Sequence, residues 1–124
     1  ALVTEMEMAQ ESFFWFGEAE QALAFRRLAP HLRLKVNAND ADGVATAHDR
    51  FGANIIECGL NALDPPLVDA CRQRNLKLMV LHKEKDPAAF REILRWDVDM
   101  INCDHGDVVA QVAADYLEEQ QINR

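Results

Sequence analysis

Residues 55–81 read Ile55-Ile-Glu-Cys-Gly-Leu-Asn-Ala-Leu-Asp-Pro-Pro-Leu-Val-Asp-Ala-Cys-Arg-Gln-Arg-Asn-Leu-Lys-Leu-Met-Val-Leu81 and hold one full structural repeat. Ile55 and Ile56 centre a short apolar run, the mark of a strand covered on both faces. Asp64 followed by Pro65 starts a helix. The carboxylate accepts the unpaired N–H groups of the first turn, and proline loses nothing at the first helical position. Leu67, Val68 and Cys71 then share one helical face, and Leu76 to Leu81 make the next strand.

The same grammar runs outward in both directions. Upstream, Phe13-Phe-Trp-Phe16 reads as a buried strand, and residues 18–29 as a helix with Ala22, Phe25, Leu28 and Ala29 on one face. Leu32 to Val36 is a strand, and Val44, His48 and Phe51 lie at helical spacing after it. Downstream, Asp86-Pro87 repeats the cap signal, with Phe90, Ile93 and Leu94 as the stripe. Val98 to Ile101 is a short fifth strand. A last helix is expected over 107–119, carrying Val108, Val109, Val112, Tyr116 and Leu117, and residues 2–10 read as one more helix at the start.

Strand centres near Phe14, Leu34, Ile55, Leu78 and Met100 stand 20, 21, 23 and 22 residues apart. Such alternation implies a parallel sheet with helical crossovers. No Pro/Gly-rich linker interrupts it, so residues 1–124 form a single α/β domain. Two architectures satisfy five parallel βα repeats: an open doubly wound five-stranded sheet, or a five-stranded partial TIM-barrel segment. A closed barrel needs at least ~200 residues, more than the 124 present.

Composition excludes several function classes. Lys plus Arg number 13 against 21 Asp plus Glu, a net charge of −8. That balance repels phosphate backbones and anionic lipid, so no nucleic-acid partner is expected. No run approaches the ~20 apolar residues of a membrane span. Cys58, Cys71 and Cys103 are an odd number without a Cys-x-x-Cys pair, which argues for unpaired thiols in a reducing, cytoplasmic setting. The five glycines form no phosphate-cradling pattern.

Residues 98–107, Val-Asp-Met-Ile-Asn-Cys-Asp-His-Gly-Asp, resemble the closing strand of the glycerophosphodiester phosphodiesterase family, Val-Asp-Gly-Ile-Ile-Thr-Asp-x-Pro-Asp. Val98, Asp99, Ile101, Asp104 and Asp107 match; Met100, Asn102, Cys103 and Gly106 depart. The run from Asp64 to Leu78 is similar to the family's sixth helix and seventh strand, with Asn75 where glycine is usual. Ser12-Phe-Phe, a helix, and Leu28-Ala-Pro30 are similar to its Ser-Phe strand, the helix after it and the next Pro. The resemblance covers residues 10–117 and implies strands four to eight of a TIM barrel, the C-terminal half of a phosphodiester hydrolase of lipid metabolism.

That placement has a consequence for activity. The family's His-Arg-Gly motif, Glu-x-Asp pair, second His and Glu-x-Lys strand, which hold a divalent cation (Mg²⁺ or Ca²⁺) and move protons, belong mostly to strands one to three. None of them carries over to this sequence, so no catalytic residue is assigned and the chain is expected to be catalytically incomplete by itself. A non-catalytic, self-associating or regulatory α/β domain is the alternative function.

Functional groups of a barrel gather at the C-terminal ends of its strands. Here those ends offer Asn37 and Asn39, Glu57, His82 with Lys83, and Asp104 with His105. Glu57, His82 and Asp104 come from three successive strands. A carboxylate–imidazole–carboxylate set suits a divalent metal or acid–base work; Asp104 could instead cap the last helix. His82 and Lys83 stand where the family lines its substrate mouth, and Lys83 could attract phosphate as a point charge. A half-barrel would also leave its inner face and two edges uncovered, so a homo-oligomer, or a missing N-terminal half supplying the first strands, is expected as partner.

Overall fold

The computed structural model describes residues 6–9 and 12–122. Five strands, β1 (Phe13–Phe14), β2 (Arg33–Asn37), β3 (Ile55–Gly59), β4 (Lys77–Leu81) and β5 (Met100–Asn102), form one sheet. Between and after them come α1 (Ala19–Leu28), α2 (Ala41–Phe51), α3 (Pro65–Gln73), α4 (Pro87–Arg95) and α5 (Gly106–Ile122), with a 3-10 turn at Leu60–Ala62. The helix expected at residues 2–10 falls mostly outside the described residues, and residues 6–9 are not helical.

Every neighbouring pair of strands is parallel, and the spatial order is the chain order, β1-β2-β3-β4-β5. This decides between the two architectures. A doubly wound sheet reverses its strand order at a switch point. An unbroken order with right-handed crossovers keeps every helix on one face, and the sheet curls into half of a barrel.

Local chemistry sets the joints at nearly the repeat's own period. Asp40, Asp64 and Asp86 cap α2, α3 and α4, accepting from Gly43 N, Leu67 N and Ala88 N at 2.7, 2.9 and 3.1 Å. Both Asp-Pro signals therefore start helices where the sequence places them. After the same three helices the backbone passes through the left-handed region at Gly52, Asn75 and Asp97 (φ 64°, 55° and 56°). Asn75 can replace the family's usual glycine because Asn tolerates that conformation better than most side chains.

Alternation along the strands sorts the residues onto two faces. Ile56, Cys58, Leu78 and Val80 face the helices and bury Val44, Ala47, Leu67, Val68, Cys71, Phe90 and Ile93. Burial pushes the Cys58 and Cys71 thiols up to about 11. The opposite, concave face carries Lys35, Ile55, Glu57 and Met79, all buried. This corrects the expectation of an uncovered inner face: the curl brings these side chains together, and none of the four is exposed. β1 is also shorter than the expected 13–16. It pairs with β2 only through Phe13–Arg33 and Phe14–Leu34, while Phe14 and Phe16 turn to Phe25 of α1, ring centroids 5.1 Å apart in each pair.

Candidate functional site

A polar cluster sits on the concave face. Lys35 Nζ of β2 donates to Glu57 Oε1 of β3 at 2.6 Å, with both side chains only 7% exposed. Asn102 Nδ2 of β5 donates to Glu57 Oε2 at 2.9 Å. The second bond passes over β4, whose Met79 is the ladder partner of both Glu57 and Met100. Only a curled sheet lets two strands that are not neighbours meet in this way. The Trp15 indole lies over the Lys35 ammonium at 4.9 Å, an attractive cation–π contact. Because the β1–β2 ladder ends at Phe14–Leu34, a cleft of about 260 Å³ opens beside it. Trp15, Glu18, Lys35, Asn37 and Phe51 line it.

The residues singled out in the sequence do not gather around this cluster. Glu57 reaches the concave face, but both its carboxylate oxygens are taken, by Lys35 and Asn102. His82 follows Val80 on the helix-facing parity and meets the edge of the Phe90 ring at 5.5 Å, with Nε2 buried and without a hydrogen-bond partner. Asp104 is exposed beyond the end of β5. Among the described residues no three His, Cys, Asp or Glu side chains stand together to hold a metal. The proposed ligand set Glu57, His82 and Asp104 thus does not fit a divalent ion. The cause is the two-residue period of a strand: one position of offset sends a side chain to the other face. His82 and Lys83, the expected substrate contacts, fare similarly. His82 is committed to Phe90, and Lys83 is exposed in the loop before the Asp86 cap. Asn37 and Asn39 are exposed.

Lys35, Asn102 and Trp15 are the members of the cluster that motif reading passes over. A signal existed. Lys35 and Glu57 are opposite charges inside apolar strands, and the ladder sets Lys35 opposite Ile55 and Asn37 opposite Glu57. Charges buried at one parity on adjacent strands have little choice but to pair.

The architecture is therefore half of a parallel (β/α) barrel with a buried ion pair on its concave face. No family model matches the chain, and no curated protein matches it. Solved structures do. A glycerophosphodiester phosphodiesterase from Agrobacterium tumefaciens is 30% identical with a TM-score of 0.79, over 91% of this chain and 49% of that one. A second glycerophosphodiester phosphodiesterase, from Parabacteroides distasonis, shares the fold at 17% identity and a TM-score of 0.71, over 91% and 48%. The chain spans about half the length of these proteins and resembles the C-terminal half of a glycerophosphodiester phosphodiesterase.

Proposed function

We propose that this chain is the closing half of a glycerophosphodiester phosphodiesterase-like hydrolase and has no phosphodiesterase activity by itself. The observation that carries the reading is the similarity to the Agrobacterium tumefaciens enzyme, 30% identity over 91% of this chain. The 124 residues contain no His-Arg-Gly motif, and the buried carboxylate of the concave face, Glu57, is paired with Lys35. Both features support a scaffold role. The chain supplies five of the strands that shape the barrel, and the groups that hold the divalent metal and move protons come from the other strands. On this reading any Mg²⁺ or Ca²⁺ of the complete enzyme is held mainly by those strands, and among the described residues of this half no three His, Cys, Asp or Glu side chains stand together. The negative net charge disfavours a nucleic-acid partner. Among the described residues no helix is long and apolar enough to cross a membrane. The unpaired thiols Cys58, Cys71 and Cys103 agree with a reducing, cytoplasmic setting.

The test is hydrolysis of a glycerophosphodiester in the presence of Mg²⁺ or Ca²⁺. The chain alone is expected to give no turnover above buffer. Joined to the N-terminal half of the Agrobacterium tumefaciens enzyme in one polypeptide, it is expected to restore turnover. Activity of the isolated chain, abolished by His82→Ala, would overturn the scaffold reading.

A further inference from the structure

A second concavity lies at the other end of the strands, away from Asn37, His82 and Asp104. A cavity of about 290 Å³ sits where β2, β3 and β4 begin, lined in part by Arg33, His48, Asn54, Arg74, Asn75 and Lys77. Among the described residues, none of those lining it is acidic, in a chain where 21 Asp and Glu outnumber 13 Lys and Arg. Part of this pattern has a plain structural cause. Helix C-termini favour cations, and Arg74, just past the end of α3, donates to Ala70 O at 3.1 Å. That cause does not reach Arg33 and Lys77, which open strands β2 and β4. The carboxylates close by are held by other groups or lie far for a hydrogen bond. Asp49 Oδ1 contacts His48 Nδ1 at 2.8 Å. Asp99 Oδ2 accepts from Leu78 N at 2.9 Å, and its Oδ1 stands 3.8 Å from Lys77 Nζ in an exposed pair. Asn54 adds a donor. Its Oδ1 accepts from Leu34 N at 2.9 Å, so the oxygen is spent on the backbone and Nδ2 is the end left for the cavity.

We propose that this rim binds a small phosphate-bearing dianion, inorganic phosphate or a simple phosphate monoester. Lys77, Arg74 and Arg33 supply the charge, and the Asn54 amide supplies a neutral donor. A guanidinium meets two phosphate oxygens at once, whereas the ammonium of Lys77 acts as a point charge. The volume stands at the lower end of small-molecule sites, which run ~300–1,000 Å³, so the ligand is compact. A long polyanion fits less well, because its further phosphates would meet a chain of net charge −8. Barrel chemistry gathers at the C-terminal ends of strands, so this site is separate from any catalytic mouth and stands independently of the proposed hydrolase role. An anion bound only by the folded chain raises its stability.

The experiment titrates the ¹⁵N-labelled chain with inorganic phosphate at pH 7.5, with NaCl holding the ionic strength constant, and follows backbone amide shifts. Saturable shifts are expected at Asn54, Asn75 and Lys77, and none at Asn37 and Asn102 at the opposite strand ends. Lys77→Gln should weaken binding about fivefold. Lys85→Gln removes the same charge beyond the other end of β4 and should leave binding unchanged. Both lysines are exposed, so circular dichroism should not change. Phosphate should also raise the thermal midpoint of the native chain more than that of the Lys77→Gln variant. Methyl phosphate titrated in parallel separates the two sources: tighter binding than inorganic phosphate assigns an organic monoester, and equal or weaker binding assigns the free ion. Shifts that do not saturate, shifts that chloride reproduces, or equal losses in the two lysine variants would show screening of charge without a site and overturn the proposal.

Discussion

The middle of this molecule and its two ends are built from the same repeat yet finished differently. From β2 to α4 each unit has a neighbour on both sides. Its strand is paired along both edges, its helix is capped by an aspartate, and its large apolar side chains are at least partly covered. The first and last units have one neighbour each. β1 is two residues long and β5 three, α1 begins at Glu18 without a side-chain cap bond, and α5 buries nothing fully. Identical local grammar therefore gives unequal structure. What completes a βα unit is the unit beside it, and the end units of this half-barrel each lack one.

Substitutions sharpen the contrast. The largest effect is expected in the middle: Phe90→Ala, at a side chain with no exposure, should lower unfolding free energy by about 3–5 kcal/mol in a denaturant titration. Glu57→Ala should cost about 3 kcal/mol, because it leaves the buried Lys35 ammonium without its ion-pair partner. The double variant Lys35→Met, Glu57→Leu should recover most of that loss. If it does not, the cluster does more than tie strands together.

Smaller effects are expected at the joints and edges. Asp86→Ala removes the cap of α4 and should cost about 1 kcal/mol, whereas Asp104→Ala, at an exposed position outside the cap bonds of α2, α3 and α4, should change stability by less than about 0.5 kcal/mol. Leu117→Ala at the edge should likewise stay within about 0.5 kcal/mol. That is well below Phe90→Ala, and an equal loss at the two sites would erase the distinction between middle and end. The thiols give the gentlest probe. At pH 8 a thiol reagent should label half-buried Cys103 first, with Cys58 and Cys71 reacting only on unfolding. Their folded-state pKa values lie near 11, above the ordinary 9.0. Their protonated forms are thus favoured in the fold, and stability from this source is full below pH 9 and lost as pH rises towards 11.

The sequence disclosed what depends on neighbours along the chain. The two Asp-Pro caps and the apolar stripes Leu67–Val68–Cys71 and Phe90–Ile93 are local signals, and each stands where the pattern places it; the strands alternate with the helices as the spacing predicts, although β1 ends at Phe14 and β5 runs Met100–Asn102 rather than Val98–Ile101. The motif run at 98–107 pointed to half of a phosphodiesterase barrel, which the matched structures share. Properties that depend on neighbours across the sheet were less legible. Strand order, which separates a curled sheet from a doubly wound one, is not written in periodicity. Facing direction was the harder loss: Glu57 and His82 both sit near strand ends, but parity sends one to the concave face and the other to Phe90. Lys35 and Asn102 were passed over because they match no motif, although a charge in the centre of an apolar strand was itself the clue.

Amide hydrogen exchange, strand by strand, tests the half-barrel most directly. In the chain alone, β3 and β4 should exchange only through global opening while Phe13–Phe14 and Met100–Asn102 exchange far faster, and adding the N-terminal half of the Agrobacterium tumefaciens enzyme should slow the two edge strands selectively. Uniform protection of all five strands in the isolated chain would contradict the account, because no strand would then be waiting for a neighbour.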